Sequence, residues 1–338
     1  MNPPRLLACA LFLFALATSG GARAECLDGR PLRGVNFAGA EFNARTLPGI
    51  RDRNYTFPRR TDIEYFAQRG ITTVRLPVLW GRLQPALFEP LDPTYLAAIA
   101  KTIEVTTELG LCLILDLHNY GGYGGQPLGS ETAPIEALID VWKRLARRFP
   151  DERHVALGLM NEPQRLPIAV WVDVARRTLT ALREGGAQHL ILVAGGRWSG
   201  VHEWFKTFAG VSNAEALAPF RDPLDRLAIE VHQYADADYS GTGTLCHPPD
   251  HFDPMFQALA AWAQRHGHRL FLGEFGTAAS ADCLASLDRL LHHASGPTWA
   301  GWTYWAAGAW WGSYPLSIAP RPDGSDAPQM AILARHLN

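Results

Sequence analysis

Two glutamates, Glu162 and Glu274, each stand at the end of a short apolar run of the sequence. The stretch GLMNEPQ covers residues 158–164, where the apolar run Val155–Met160 ends in Asn161 and Glu162. The stretch LGEFG brings Glu274 to the end of another such run. Two carboxyl groups facing each other across a cleft can hydrolyse a glycosidic bond, one as a proton donor and the other as an anion. Asn-Glu-Pro is also typical of the start of a loop or helix, so the interpretation depends on the elements around it.

Other polar residues occupy the same position relative to apolar runs. They are Arg75 in TVRLPV, Asp116 and His118 in LDLHNY, and Glu230, His232 and Tyr234 in IEVHQY, with the aromatic Trp305 in GWTYWAAG. Residues two apart in a strand share a side, so the members of each group point in one direction. Each residue alone has a simple explanation as a paired core group, because buried polar side chains are costly without partners. Their joint occurrence at strand ends indicates a functional cluster or one paired network.

Eight short β-prone runs recur along the chain, and helical patterns fill most of the intervals between them. The runs are Gly34–Ala38, Thr72–Val78, Leu111–Leu117, Val155–Met160, Leu190–Ala194, Leu227–Val231, Leu270–Gly273 and Ala300–Trp305. The helical patterns are Asp62–Arg69, Pro93–Leu109, Ile135–Phe149, Trp171–Glu184, Met255–His266 and Pro328–Leu337. This alternation predicts a single-domain α/β fold over residues 25–338, a (β/α)₈ or TIM barrel whose strand carboxyl ends carry the chemistry. An open doubly wound sheet is disfavoured, because residues 34–39 do not match its glycine-rich phosphate turn.

The first 24 residues have the pattern of a secretory signal peptide. Arg5 precedes the apolar run of residues 6–18, and Ala22-Arg23-Ala24 is typical of a cleavage site. The apolar run is short for a membrane anchor. We therefore expect a secreted protein, extracellular or periplasmic, with a mature chain that begins at Glu25.

Composition and charge restrict the classes of partner. The chain has 338 residues, of which 47% are hydrophobic and 19% charged, and its formal net charge is −2. These values are typical of a globular protein with a large core. Mild acidity without a basic run argues against nucleic acid and against an anionic membrane surface as partners. We expect a neutral substrate, no cofactor and a monomer.

Four cysteines remain after removal of the signal peptide, which contains Cys9. They are Cys26, Cys112, Cys246 and Cys283. An exported chain permits disulfides, but the pairing of four cysteines cannot be read from their order. Cys112 lies in the apolar stretch Leu111–Leu115, so we expect it to be a buried thiol.

The same polar residues allow two other interpretations. Asp116, His118 and His232 could bind a divalent ion together with the two glutamates. Metal-dependent barrel hydrolases usually carry a His-x-His pair on their first strand and an Asp after their last, whereas this chain has GVNFAG and a tryptophan there. We therefore predict no metal. A glycan-binding barrel without catalysis is the other alternative, and the presence of both glutamates argues against it.

The sequence resembles glycoside hydrolase family 5, and within it the secreted endo-β-1,4-glucanases of the fungal-type subfamily. The blocks that carry the resemblance are GVNFAGAEF, VRLPVLW, LDLHNYGGY, GLMNEP, VHQYADADYSGT followed by a cysteine, LGEFGT and GWTYWAAGAWWGSY. They occur in the family's order over about residues 32–318. The NEP motif is shared by many related barrels, and the VHQY and WWGSY blocks are more selective.

The resemblance implies a retaining mechanism and a role for each matched residue. Glu162 would be the acid/base and Glu274 the nucleophile. Asn161 would hold the 2-hydroxyl of the sugar, Arg75 and Tyr234 would stabilise Glu274 as an anion, His118 and His232 would line the catalytic subsite, and Trp305 would form its floor. A disulfide between Cys246 and Cys283 is also implied. Many family members carry a cellulose-binding module, and none is visible here, so soluble or amorphous glucan is the expected substrate.

Substrate and cleavage mode depend on the loops. Trp198, Trp204, Trp310 and Trp311 are candidates for stacking on sugar rings, and we expect at least one of them to be buried in the core. The glycine-rich tract Asn119–Pro134 favours an open cleft and internal cleavage of β-1,4-glucan. A β-mannanase, a xyloglucanase or an exo-acting glucosidase would carry the same glutamates. Pro163 restricts the residue before it, so we expect an extended backbone at Glu162.

Overall fold

The computed structural model describes residues 25–27 and 29–337. The signal peptide predicted at residues 1–24 lies outside the described residues. Among the helices of the described part of the chain, none combines the length and the apolar character that crossing a bilayer requires.

Eight parallel strands close into one barrel, as the sequence predicts. They are β1 (Leu32–Phe37), β2 (Thr73–Val78), β3 (Cys112–Leu117), β4 (Val155–Gly158), β5 (Ile191–Ala194), β6 (Leu227–His232), β7 (Leu270–Glu274) and β8 (Trp299–Ala307). Each strand is bonded to its neighbours in chain order, and β8 pairs with β1 to complete the ring. The (β/α)₈ barrel is thereby confirmed, and the carboxyl ends of all eight strands meet at one rim.

Helices surround the barrel. They are α1 (Arg60–Ala67), α2 (Trp80–Leu83), α3 (Pro93–Glu108), α4 (Ile135–Arg148), α5 (Ile168–Glu184), α6 (Asn213–Leu217), α7 (Asp253–His266), α8 (Ala281–His293) and α9 (Pro328–Arg335). Short 3₁₀ turns lie at Val201–Glu203 and Pro249–Phe252, and a small hairpin pairs Gly122–Tyr123 with Gln126–Pro127.

Local sequence signals account for the helices that face the barrel. In α4 the buried residues Leu138, Val141, Trp142 and Leu145 follow the spacing of one helix face. Helix α8 has no counterpart among the helical patterns predicted above, although its signal is present. Ser280 caps this helix by accepting a hydrogen bond from the backbone N–H of Cys283, as is typical of an N-cap serine.

Alternation along β2 sets which side chains enter the barrel. Val74, Leu76 and Val78 pack in the apolar layer shared with the helices. Arg75 lies between them in sequence, so its side chain points to the other side, into the barrel. A separate apolar cluster that includes Ile114 and Phe271 lies below it. The interior is therefore apolar below and polar at the carboxyl end, which is where a charged side chain can find partners.

Two disulfides join distant parts of the chain. The structure contains a bond between Cys246 and Cys283, which ties the loop after β6 to the start of α8. It also contains a bond between Cys26 and Cys112, which are 86 residues apart. The expectation of a buried thiol at Cys112 is therefore wrong. Cys112 is the first residue of β3, and the N-terminal segment runs beside it at the opposite end of the barrel from the polar rim.

Candidate active site

The barrel brings the predicted polar residues together at its carboxyl end. Arg75 extends from β2, His118 directly follows β3, and Glu162 stands shortly after β4. His232 and Glu274 are the last residues of β6 and β7, and they are direct register partners across that strand pair. Five separate strands thus supply side chains to one small volume at the mouth of the barrel.

Glu162 and Glu274 approach each other closely across this mouth. One carboxylate oxygen of each, together with a ring nitrogen of His232, lie within 4.8 Å of one another. A separation of about 5 Å between two carboxyl groups is typical of a retaining glycosidase, whereas an inverting enzyme needs more room for a water molecule.

Two donors hold Glu274 as an anion. The hydroxyl of Tyr234 donates to Oε2 at 2.7 Å, and Nη1 of Arg75 donates to Oε1 at 3.0 Å. Burial by itself raises the pKa of this carboxyl, but the charges of His232 and Arg75 and the Tyr234 hydrogen bond outweigh burial. The pKa of Glu274 is therefore lowered from its ordinary value. An ionised carboxylate at this place has the form that a nucleophile needs.

Glu162 differs from Glu274 in its surroundings. Burial raises its pKa most, the charge of Glu274 raises it further, and the hydrogen bond from His232 only partly opposes them. The pKa of Glu162 thus lies above that of an ordinary glutamate, which suits a proton donor. Opposite shifts in two neighbouring carboxyl groups separate an acid from an anion.

The backbone of Glu162 contradicts the expected extended conformation. Its φ is +38°, in the left-handed region that L residues rarely adopt. The neighbouring Pro163 disfavours helical angles but does not by itself enforce an extended strand, and the tight chain path at the tip of β4 decides the conformation. Such strain is found most often where a side chain must be aimed at a reacting group.

Arg75 is the centre of the polar network. Its side chain is 0% exposed, and its two terminal nitrogens donate to the amide oxygens of Asn36 and Asn161, each at 2.8 Å. It also pairs with three carboxylates, which are Glu274 at 3.0 Å, Glu230 at 2.9 Å and Asp116 at 3.2 Å. Because Asn161 accepts from Arg75 through its oxygen, its amide nitrogen is the end left to donate hydrogen bonds.

His118 is held in one orientation beside Trp305. Its Nδ1 lies 2.9 Å from Asp116, and its Nε2 lies 3.2 Å from the amide nitrogen of Asn161. An amide nitrogen only donates, so in the neutral ring Nε2 is the acceptor and Nδ1 carries the proton. Burial lowers the pKa of His118, but the hydrogen bond and charge of Asp116 outweigh burial and raise it. The imidazole stacks on the Trp305 ring with centroids 5.7 Å apart and an interplanar angle of 18°. Trp305 is only partly buried, so part of its surface is accessible.

His232 lies between two carboxylates. Its Nδ1 is 2.8 Å from Oε1 of Glu162, and its Nε2 is 3.1 Å from Oε1 of Glu230. Burial lowers the pKa of His232, but Glu274, Glu162 and Glu230 outweigh burial and raise the pKa to about 10. In its protonated form His232 donates through both nitrogens, to Glu162 and to Glu230. Glu162, His232 and Glu274 are also the described residues whose ligand atoms lie close enough together to hold a metal ion.

A cleft of about 550 Å³ extends from the two glutamates over the loops that follow β4, β5 and β6. Its lining includes Tyr120, Gln164, Trp198, His202, Gln233 and Tyr239 besides the catalytic candidates. Trp198 is a candidate from the sequence, whereas most of the others lie in loops without hydrophobic periodicity and give no such signal. Asn36 carries the same signal as Arg75 and Glu230, a polar residue inside an apolar run, and could be found in that way.

The four candidate tryptophans separate into different environments. Trp198 lines the cleft and is 45% exposed, and Trp310 is 38% exposed. Trp311 packs edge-on against Trp305 with centroids 5.8 Å apart. Trp204 is 0% exposed and packs against Trp262 in the core. A sugar cannot reach a ring in that position, so the suggestion that Trp204 forms an aromatic subsite is wrong.

Comparison with known proteins agrees with this geometry. The sequence model described as cellulase (glycosyl hydrolase family 5) matches residues 35–309. Endoglucanase gh5-1 of Neurospora crassa is 31% identical over 296 residues, which are 86% of this chain and 73% of that protein. An endo-β-1,4-glucanase of Xanthomonas axonopodis pv. citri superimposes with a TM-score of 0.89 at 40% identity, covering 91% of this chain and 98% of the other. The structure of XacCel5A in complex with cellopentaose gives a TM-score of 0.88 at 45% identity, covering 90% of this chain and 99% of the other. The chain therefore belongs to the cellulase family, glycosyl hydrolase family 5.

Proposed function

We propose that this protein is a secreted endo-β-1,4-glucanase that hydrolyses internal bonds of cellulose or soluble β-glucan with retention of anomeric configuration. The observation that carries the proposal is the approach of Glu162 and Glu274 to within 4.8 Å. This separation suits direct attack by one carboxylate and leaves too little room for a water molecule between it and the sugar. The raised pKa of Glu162 and the lowered pKa of Glu274 support Glu162 as the acid and Glu274 as the nucleophile.

In the first step Glu274 attacks the anomeric carbon, and Glu162 protonates the departing glycosidic oxygen. Oε1 of Glu162 accepts from His232 at 2.8 Å, so the acidic proton resides on Oε2. The leaving sugar takes that proton, and an ester forms between Glu274 and the remaining glycan. Arg75 and Tyr234 each bond one oxygen of Glu274, which keeps the carboxylate oriented for attack.

In the second step Glu162, now ionised, removes a proton from water, and the resulting hydroxide displaces Glu274 from the sugar. The configuration is inverted twice and so retained overall. Asn161 can donate its amide hydrogen to the 2-hydroxyl of the sugar, because its oxygen is occupied by Arg75. The Trp305 ring, stacked beside His118, supplies an apolar floor for the sugar face.

The substrate class rests on relatives and on the shape of the cleft. Two relatives are named endoglucanases, and a third was solved with cellopentaose bound. The cleft of about 550 Å³ follows the barrel mouth and carries the exposed ring of Trp198. A groove of this form accepts a chain at any point along its length, which favours internal cleavage. We also propose that residues 1–24 direct export of the chain.

The deciding experiment compares polysaccharides. The protein is incubated with carboxymethyl-cellulose, mannan and xyloglucan while viscosity and reducing ends are followed together. An early collapse of viscosity on carboxymethyl-cellulose is expected. Reducing ends that accumulate while the viscosity holds would indicate exo action. Faster degradation of mannan or xyloglucan would assign the enzyme to those substrates instead.

The mechanism has its own test. Proton NMR of the first product should show the β-anomer, and the α-anomer as first product would contradict retention. Glu274→Ala should abolish turnover of every glucoside. Glu162→Ala should spare the first step for aryl glucosides with good leaving groups, because these need little protonation. No loss on cellulose in either variant would contradict the assigned roles.

A further inference from the structure

Glu230 is a buried carboxylate that the two hydrolytic steps above do not use. It lies on β6 two residues before His232 and is 1% exposed. Its Oε1 forms an ion pair with Nη2 of Arg75 at 2.9 Å and lies 3.1 Å from Nε2 of His232. A buried charge is retained without loss of stability only when it is well paired, and Glu230 has one partner on each side.

These contacts connect the two catalytic glutamates through one chain of side chains. Arg75 donates to Glu274 with one terminal nitrogen and pairs with Glu230 through the other. Glu230 accepts from His232, and His232 donates to Oε1 of Glu162. The carboxylate of Glu230 is thus the link between the nucleophile side of the site and the acid side.

The backbone beside Glu230 is shaped to admit this carboxylate. Gly273 directly precedes the nucleophile, and a Cβ atom at that position would stand 2.2 Å from Oε1 of Glu230 and 2.7 Å from its Cδ. Any side chain at residue 273 would therefore push Glu230 away from His232. Glycine at position 273 leaves the space that the Glu230 carboxylate occupies, which is an independent sign that the sequence requires the carboxylate there.

We propose that Glu230 is the positioning residue for the acid Glu162. It holds His232 as an imidazolium whose Nδ1 donates to Oε1 of Glu162, and this leaves the acidic proton on Oε2, where the glycosidic oxygen is protonated. Glu230 itself touches neither the substrate nor the reacting atoms. The inference rests on the proposed hydrolytic function.

The loss of the Glu230 charge should change the proton affinity of His232 and Glu162 in a definite direction. The charged or titratable groups that face His232 and Glu162, besides Glu230, are His118, Tyr120, Tyr234 and Glu274. Arg75 pairs with Glu230 and Glu274 beside them. His232 and Glu162 are hydrogen-bonded and lose protons as a pair. Removal of one nearby negative charge lowers the affinity of this pair for protons, so the pair deprotonates at lower pH.

The test is Glu230→Gln, with kcat/KM for cellotetraose measured against pH. The alkaline limb of the profile should move to lower pH by about one unit, which is the size expected for a neighbouring charge. At pH values above the limb, kcat/KM of the variant should therefore be about tenfold lower than that of the wild type. For 2,4-dinitrophenyl cellobioside the variant should match the wild type, because dinitrophenolate leaves without protonation. NMR titration of His232 should show a lower pKa in the variant.

Two further variants serve as controls. Asp116→Asn removes a different carboxylate partner of Arg75, which lies 3.2 Å from its guanidinium. Asp116 is hydrogen-bonded to His118 and not to His232. The alkaline limb of Asp116→Asn should move less than that of Glu230→Gln. Glu230→Asp keeps the charge and shortens its reach, so it should give a smaller shift in the same direction, and it decides the question if Glu230→Gln does not fold.

Three outcomes overturn the proposal. An unchanged alkaline limb in both Glu230 variants would leave Glu230 with a structural role only. Equal losses of kcat/KM on cellotetraose and on the aryl cellobioside would show that the nucleophile, and not the acid, is disturbed. A wild-type protein that is inactive on both substrates overturns the proposed function, and the positioning role fails with it.

Discussion

The hydroxyl of Tyr234, two residues after the end of β6, donates a hydrogen bond of 2.7 Å to Oε2 of Glu274 at the end of β7. The other oxygen of Glu274 is bonded by Arg75, so each oxygen of the carboxylate has its own donor. A carboxylate held in this way is fixed in orientation and favoured in its ionised form. Both effects act on the proposed nucleophile, which gives Tyr234 a measurable influence on catalysis.

Replacement of Tyr234 by phenylalanine removes only the hydroxyl donor. A hydrogen bond to a charged group contributes about 1.5–3 kcal/mol, so kcat/KM for carboxymethyl-cellulose should fall about 10- to 100-fold. The Tyr234 bond lowers the pKa of Glu274, so its loss should move the acid limb of the profile to higher pH. Tyr65→Phe is the matched control, because Tyr65 bonds the carboxylate of Asp326 far from the site. Similar losses in both variants would show that the effect is not specific to the nucleophile.

The pH profile of the wild-type enzyme should be bell-shaped. Activity requires Glu274 ionised and Glu162 protonated. Because the pKa of Glu274 is lowered, activity should rise through a limb below the ordinary glutamate value of about 4.3. Because the pKa of Glu162 is raised, activity should fall through a limb above that value. Measurement of kcat/KM against pH on a soluble cello-oligosaccharide checks both limbs, and an acid limb well above pH 5 would contradict the assignment.

Glu41 should make folding stability depend on pH. Burial raises its pKa to about 7, with the charge of His118 and the Gly39 hydrogen bond opposing it. A carboxyl with a raised folded-state pKa contributes stability below its unfolded pKa and loses that contribution as pH rises through the folded pKa. Between pH 5 and pH 8 the wild type should lose about 2 kcal/mol of unfolding free energy through this group. Urea unfolding of Glu41→Gln at both pH values should show that this loss is absent, and equal pH slopes would contradict the prediction.

The two tryptophans Trp198 and Trp204 should respond in opposite ways to alanine substitution. Trp198 is exposed in the cleft, so Trp198→Ala should raise KM for cello-oligosaccharides by about fivefold, about 1 kcal/mol, with stability unchanged. Trp204 is fully buried, so Trp204→Ala should lower the unfolding free energy by about 3–5 kcal/mol. Kinetics and denaturant unfolding of both variants provide the comparison. A kinetic defect in Trp204→Ala without a stability loss would reverse the assignment.

Both disulfides should stabilise the fold, and the longer loop should contribute more. Chain-entropy estimates give about 4 kcal/mol for Cys246–Cys283 and about 5 kcal/mol for Cys26–Cys112, whose cysteines are 37 and 86 residues apart. Denaturant unfolding of the two double serine variants measures these contributions. Mass spectrometry of a non-reduced digest should recover both linked peptide pairs, and free Cys26 or Cys283 peptides would contradict the pairing.

Much of the fold was accessible from local patterns. Strand β2 alternates apolar residues with Arg75, and helix α4 repeats its apolar residues at helical spacing. Each pattern therefore predicts the element in which it lies. Eight such strands separated by helices allow few arrangements other than a closed parallel barrel. Once the barrel is assumed, Glu162 and Glu274 must lie at the same rim, because all strand carboxyl ends meet there.

Local sequence patterns carry no information on contacts between segments that are far apart in sequence. Cys26 and Cys112 pair because the N-terminal segment passes the start of β3. Nothing in the sequence around either cysteine indicates that the other is its partner. Trp198 and Trp204 are the same residue type six positions apart, and only packing against Trp262 makes one of them core. The left-handed backbone of Glu162 likewise depends on the chain path at the barrel rim and not on Pro163 alone.

The sequence by itself determined which residue types stand at the strand ends, and hence that this protein carries four carboxyl groups, an arginine and two histidines at one rim. The tertiary structure decided which of them touch. Glu274 receives Arg75 and Tyr234, whereas Glu162 receives His232, which is backed by Glu230. The difference matters because electrostatic interactions between buried groups depend steeply on distance and on desolvation. Two chemically identical glutamates become a nucleophile and an acid only when the closed barrel gives them different neighbours.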